Sequence, residues 1–317
     1  MEITLLKVHG SMNTFYLIDG PERSDYDRLT LKLSELDAGV DGLLVVLPSE
    51  TDNAKMRVFN RDGSEASMCG NGLRCVARYV CERDGIDEAV IETMKASLFV
   101  KKEQSLADGI AMYAVEISPV SFQLKDLPMS YEKNSEWLLK PLPFVSQEID
   151  FSAVAVPNPH LIGIVPKAYQ HDDSHQKKWA EFFNGPNDYF SDGVNVSYVT
   201  KVEKGIFVKT FERGVGFTNA CGTAMTASAL ISCLAGLVPY GEVYVYNPGG
   251  MVKCSVQKNN DKFELSLSGN ATYLSSHQFE WAENLESSEF VYSELFEEQK
   301  LYDRFIENIS SAARQFV

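Results

Sequence analysis

Two cysteines in this chain stand where a thiol can do chemistry. Cys69 lies in ASMCGNGLRC and Cys221 in TNACGTAMTA, each followed at once by glycine and then by an apolar run that reads as a helix. The first N–H groups of a helix lack internal acceptors, and the macrodipole adds roughly half a positive charge there. A cysteine so placed gains thiolate character, with a pKa below the free value of about 8.5, and the same N–H groups can hold a carboxylate. Gly70, Gly72 and Gly222 let a ligand approach the backbone closely, while Asn71 and Thr223 add hydrogen bonds. Two acid/base groups on opposite faces of one carbon are what stereoinversion needs: one removes the α-proton, the other returns a proton to the far side. The α-hydrogen of an amino acid is a very weak acid, so the developing charge must spread into a carboxylate held by preorganised donors. Two helix N-termini supply such donors without a metal or an organic cofactor, so neither is expected.

The elements around these cysteines have a common order. Short β-rich runs at Thr4–Lys7, Thr14–Ile18, Leu43–Leu47 and Met56–Phe59 precede the first motif. From Leu73 the apolar positions Leu73, Val76, Ala77 and Val80 recur at helical spacing, and the run stops near Asp84-Gly85. Strands near Val154 and at Leu161–Val165, Val194–Thr200 and Ile206–Phe211 lead in the same way to FERGVGFTNACGTAMTASAL. Laying Cys69 on Cys221, an offset of 221 − 69 = 152, also matches Phe59, Arg61, Gly70 and Ala77 to Phe211, Arg213, Gly222 and Ala229. A repeated supersecondary unit of this kind predicts two similar domains. Both helices are apolar on most sides, which suits a helix wrapped by a curved sheet. Several strands follow one another without a helix between them, which argues against parallel βαβ layering. Between the halves, Leu127–Asp150 carries Pro128, Pro141 and Pro143 and no sustained period, so the crossover is expected there. From Ser288 onward Val291, Leu295, Tyr302, Phe305, Ile309 and Phe316 can share one stripe, predicting a docked terminal helix.

Composition narrows the function. A net charge of −15 over 317 residues disfavours nucleic acid, whose backbone attracts clustered Lys and Arg. The start MEITLLKVHG lacks the features of a secretory signal, and Ala224–Pro239 is shorter than the ~20 residues that span a bilayer. The expectation is a cytoplasmic protein with a small-molecule amino-acid substrate, no nucleic-acid or membrane partner, and a homodimer as an allowed assembly. The remaining cysteines, Cys75, Cys81, Cys233 and Cys254, lie among apolar neighbours and read as small core residues. His171 and His175 have the spacing of a metal pair on a helix face but no third ligand in the sequence, so they read as part of a solvated helix.

The motifs KVHGSMNTFYLID, FNRDGSEASMCGNGLR, PNPHLI, DGVNVSYV and FERGVGFTNACGTAMTA occur in that order. In this the chain resembles the diaminopimelate epimerases, cofactor-independent enzymes that interconvert LL- and meso-2,6-diaminopimelate, over nearly its whole length to about residue 275. The resemblance implies that Cys69 and Cys221 are the acid/base pair and that the Gly70-Asn71 and Gly222-Thr223 backbones hold the reacting carboxylate. It also implies that Asn13, Asn60, Asn158, Asn195 and Arg213 bind substrate, largely at its distal end, that Glu212 contacts an amino group, and that His160 and Glu212 help poise the thiols. The implied fold is α/β (α+β): two pseudo-symmetric domains, each a mixed β-barrel-like sheet around a central helix, plus a C-terminal helix. The expected boundaries are 1–119 with 266–280 for the first domain, 120–265 for the second, and 281–317 for a helical extension.

One position departs from the family pattern. Gly42 in GVDGLLVV stands where the family often has Gln, so one substrate contact is expected to be absent or supplied by water. The nearest rival function is a racemase of another amino acid on the same scaffold, against which Arg213 argues, since its guanidinium would lack a distal carboxylate. A thiol redox protein is the rival of another class, and it would cycle a disulfide without exchanging an α-proton.

Overall fold

The computed structural model describes residues 2–260, 262–282 and 287–313. The described residues within 2–115 and 268–306 form one compact unit, and those within 116–267 and 307–313 form another.

In the first unit the hairpin strands Glu2–Gly10 and Asn13–Asp19 pair antiparallel, and the second of them runs parallel to Gly42–Leu47. That strand pairs antiparallel with Ala54–Asn60, which takes the short strand Glu65–Ala66 on one side and, in parallel, Glu88–Glu92. Ser97–Glu103 and Met112–Glu116 complete the run as antiparallel neighbours. The second unit repeats these pairings in the same order with Ser146–Val156, Asn158–Ile164, Asn195–Val202, Gly205–Glu212, Gly216–Thr218, Gly241–Asn247 and Gly250–Asn259. The registers make the equivalence residue by residue. Phe15 lies beside Gly42 as His160 lies beside Asn195, and Leu43 faces Phe59 as Val196 faces Phe211. Asn13 therefore corresponds to Asn158, Gly42 to Asn195, and Asn60 to Glu212.

Each unit holds one central helix. Gly70–Asp84 buries eleven of its 15 residues and ends at Gly85, whose φ of 68° is the left-handed stop that glycine adopts without a Cβ penalty. Gly222–Leu234 buries twelve of its 13 residues and carries no charge. A helix covered on nearly all sides is best apolar all round, and Gly222–Leu234 shows that pattern; Gly70–Asp84 instead keeps Arg78, Glu82, Arg83 and Asp84 toward its C-terminal end. Cys75, Cys81, Cys233 and Cys254 are buried, as their apolar neighbours predict. The first helix also buries Arg74 and Arg78, and both are tied to carbonyls where the strand Lys262–Asn270 ends: Arg74 to Asn270 O at 3.1 Å and Arg78 to Ala271 O at 2.7 Å.

The C-terminus corrects one expectation. A helix is present at Glu298–Ala313, but Glu289–Leu295 is a strand, antiparallel to Thr272–Glu280. The expected stripe would have buried Val291 and Leu295, which are 61% and 80% exposed. Phe290, outside that stripe, packs instead against Tyr16, His277 and Phe279. The open edge of Thr272–Glu280 supplies ladder hydrogen bonds that the local helical period does not reveal, and the aromatic and β-branched residues of EFVYSEL suit a strand. Tyr302 and Phe305 are buried as expected, and Phe316 lies outside the described residues. No helix among the described residues is long and apolar enough to cross a membrane.

Candidate functional site

Each unit presents one cysteine at the start of its central helix. In the first, Cys69 is the N-cap of Gly70–Asp84, with extended backbone and its Sγ accepting from Gly72 N at 3.5 Å. Its thiol also reaches Asn13 Oδ1 at 3.6 Å. The same oxygen accepts from Asn71 Nδ2 at 3.4 Å. The amide of Asn13 is oriented from its other end, where Nδ2 donates to Asp41 Oδ2 at 2.8 Å. Asp41 also takes Thr14 N at 2.8 Å, so one carboxylate fixes both the strand start and the amide. Cys69, Gly70, Asn71 and Asn13 are thus one cluster. Asn60 stands apart from their hydrogen bonds: it is exposed, and its Nδ2 donates to Ser64 Oγ at 3.0 Å across a turn.

In the second unit Cys221 caps Gly222–Leu234 and is 8% exposed. Its Sγ lies 3.6 Å from Thr223 Oγ1. Glu212, at the end of the strand Gly205–Glu212, also bonds the thiol and accepts from Thr218 Oγ1 at 2.5 Å. A helix-capping position predicts thiolate character for this cysteine, and the structure reverses it. Burial pushes the Cys221 thiol well above its ordinary pKa, and the Glu212 carboxylate adds to the rise; the Ala224 N–H and the Thr223 hydroxyl pull the other way and are outweighed. The helix start is as expected, but a desolvated sulfur beside a carboxylate stays protonated. Glu212 is itself raised by burial, against the lowering pull of Thr218 and Cys221.

In the same unit the strand register brings His160 beside Asn195. Asn195 is buried and its Oδ1 accepts from Arg213 N at 3.0 Å, while Arg213 Nη1 donates to Asp192 O at 2.8 Å. Glu212 is engaged with Thr218 and Cys221, and Arg213 forms no ion pair among the described residues, so the exposed guanidinium keeps charge available for a ligand carboxylate. Asn158 is half-buried at the start of its strand and makes no side-chain hydrogen bond among the described residues. His160 is fully buried, and neither ring nitrogen has a hydrogen-bond partner, thiols included. Burial first and the Arg213 charge second lower its pKa to about 3.

That histidine carries a pH signature. Below the usual 6.5 the unfolded chain takes up a proton that folded His160 refuses, so stability falls with pH from 6.5 toward 3. The expected slope is about 1.4 kcal/mol per pH unit from this one group. In His160→Gln it disappears. The difference in urea unfolding free energy between wild type and variant should therefore shrink steadily from pH 7 to pH 5; an unchanged difference would mean that His160 titrates normally.

Three supporting residues were not singled out from sequence. Asp41 sits in VDG, a turn-like sequence with nothing to mark it as the orienter of Asn13. Thr218 reaches Glu212 only because Gly205–Glu212 and Gly216–Thr218 form a hairpin. Arg74 had a legible signal: an arginine within the apolar stretch Leu73–Ala77, once buried, needs acceptors, and it donates to Ser11 Oγ at 2.9 Å. His175, read as solvated, bonds Tyr198 OH through Nδ1 at 2.6 Å, and no metal-type cluster of three ligands occurs among the described residues.

Comparison with known proteins places these two helix starts in context. A family model described as diaminopimelate epimerase matches residues 5–107 and 152–274, the two stretches that carry them. A diaminopimelate epimerase of Listeria welshimeri is 46% identical over 289 residues, covering 86% of this chain and 88% of the relative. One from Enterococcus faecalis is 43% identical over 328 residues, covering 98% and 99%. Among solved structures, a phenazine biosynthesis protein of the PhzF family from Bacillus anthracis has a TM-score of 0.65 at 17% identity, covering 88% of this chain and 99% of that one. A probable proline racemase from Agrobacterium radiobacter gives 0.58 at 13%, covering 89% and 94%. At such identities the structural likeness is one of fold.

Proposed function

The chain belongs to the diaminopimelate epimerase family, and from that premise we propose that it interconverts LL- and meso-2,6-diaminopimelate, in the synthesis of lysine and cell-wall precursors. The observation that carries this reading is the recurrence of one device, a cysteine capping the central helix, at equivalent places in both units. A thiolate at Cys69 would take the α-proton, and the Cys221 thiol would deliver its proton to the opposite face of the same carbon. In the reverse direction the roles exchange, so no net proton is consumed. Burial, and then the Glu212 carboxylate, favour Cys221 as the protonated member of the pair at the outset. When Cys221 has given up its proton, the Ala224 N–H and the Thr223 hydroxyl stabilise the thiolate that remains.

The reacting carboxylate would sit on the first-turn N–H groups at Gly70-Asn71 and Gly222-Thr223, where donors are fixed before reaction and the developing charge needs no reorganisation. The distal carboxylate would pair with Arg213, with Asn158, Asn195, Asn60 and Asn13 completing the set. We place the protein in the cytoplasm, whose reducing poise keeps two such cysteines as thiols.

Turnover in deuterium oxide tests the proposal. Deuterium should enter the α-carbon of diaminopimelate together with inversion, and lysine, which lacks the distal carboxylate, should exchange far more slowly. Equal exchange into lysine would remove the role given to Arg213, and no exchange into any amino acid would end the reading.

A further inference from the structure

Resting on Cys69 as an acid/base group, we propose that the C-terminal helix is a positioning element for the Cys69 cluster, holding Asn13 and the Cys69-capped helix in register through Tyr302 and Glu298.

The cluster depends on the turn between the first two strands. Gly10 pairs with Asn13, so Ser11 and Met12 form a two-residue turn, and both have positive φ, 53° and 65°. Neither is glycine, and left-handed backbone at consecutive side-chain-bearing residues persists only where the surroundings enforce it. Three of its supports come from the body of the unit. Ser11 N donates to Asn270 Oδ1 at 2.8 Å, Met12 N donates to His9 Nδ1 at 3.2 Å, and Arg74, from the helix Cys69 caps, donates to Ser11 Oγ at 2.9 Å.

The remaining supports come from Glu298–Ala313. Tyr302 is 1% exposed; its ring meets His9 edge-on at 4.7 Å and its hydroxyl bonds Ser11. Gln299 interacts with the His9 side chain and, at 4.0 Å, with Met12 Sδ. One turn earlier Glu298 grips the central helix, accepting from Arg78 Nη1 at 2.6 Å and Nη2 at 2.8 Å, and it also takes Tyr273 N at 3.0 Å. Gly109 lets this helix approach: a Cβ there would stand 2.6 Å from Leu301 Cδ1, at a φ of +78°. The C-terminal helix thus holds both parts that must stay aligned for Asn13 Oδ1 to meet the Cys69 thiol: the turn preceding Asn13, and the helix whose N-cap is Cys69. It lies outside the stretches matched by the family model. Because the chain closes this loop through residues far apart in sequence, the alignment is a tertiary property, and Tyr302, 1% exposed, acts through His9 and Ser11.

The test uses the full chain with Tyr302→Ala, Tyr302→Phe and Glu298→Ala, each first checked for a cooperative unfolding transition. For the two alanine variants kcat should fall about tenfold with KM within about twofold, since a misplaced acid/base group costs rate more than binding. Tyr302→Phe keeps the ring against His9 and should return kcat to within about twofold of wild type. Iodoacetamide labelling, read by peptide mass spectrometry, gives a second measure: the Cys69-to-Cys221 labelling ratio should change about threefold or more in the alanine variants, with Cys221 in the other unit as internal reference. If Tyr302→Ala does not fold, Glu298→Ala decides. A folded alanine variant with wild-type kcat and labelling ratio, or one that raises KM and leaves kcat alone, overturns the proposal. If the wild-type enzyme moves no deuterium into diaminopimelate, the functional reading fails, and the labelling ratio by itself decides the positioning role.

Discussion

Cys69→Ala and Cys221→Ala should each lower kcat/KM for diaminopimelate by about 10³-fold, because either change leaves one face of the α-carbon without a proton carrier. The loss should fall on kcat, since the carboxylate donors are backbone N–H groups that the substitution leaves in place. Stability should change little by comparison. Cys69 is half-buried, and trimming one sulfur from Cys221 removes only a small side chain, costing about 1–2 kcal/mol. Steady-state rates in both directions, with urea unfolding of the same samples, separate the two effects. A variant that epimerises at the normal rate would remove that cysteine from the mechanism. Because the Cys221 thiol is held above its ordinary range mainly by burial and then by Glu212, the pH dependence of kcat should differ between the two directions, while the ratio of their kcat/KM values stays fixed because no net proton is consumed. The direction in which Cys221 must act as thiolate should gain more from rising pH.

Gly42→Gln, which restores the residue the family often has, should destabilise the protein by about 3 kcal/mol instead of improving it. A Cβ at position 42 would stand 2.0 Å from the Phe59 carbonyl oxygen, and that atom is backbone in a strand paired on both sides. Gly42 itself is locked between Phe15 and Asn60, so neither neighbour can yield without breaking ladder bonds. In the other unit Asn195 occupies the equivalent place, is buried, and uses its side chain on Arg213 N. The two halves therefore differ where the first strand pairing has closed in on position 42. A urea midpoint shared by Gly42→Gln and wild type would show that the strand opens there easily.

Much of the site was legible because it rests on local chemistry. A cysteine, a glycine and an apolar helix repeat at one offset, and a helix start has the same orphan donors wherever it occurs. The strand order around both cysteines followed from β-rich runs and turn residues, and the pairings repeat as that order implies. Glu289–Leu295 was misread because its period fits a helix as well as a strand, and the partner strand that decides between them begins with Thr272. The thiolate expected at Cys221 failed for a related reason: a helix N-terminus is visible in sequence, whereas burial and the approach of Glu212 are not.

The sequence alone determined which residues are chemically able to act: two thiols, their glycine-flanked helix starts, and the amide and guanidinium groups around them. Tertiary structure decided the state and setting of each one. It buried Cys221 against a carboxylate, oriented Asn13 through Asp41, left both nitrogens of His160 without partners, and denied position 42 any side chain. Residue identity sets what a group can do, but its protonation, orientation and available space depend on neighbours brought from distant parts of the chain, and those terms appear only when the sheets close around their helices.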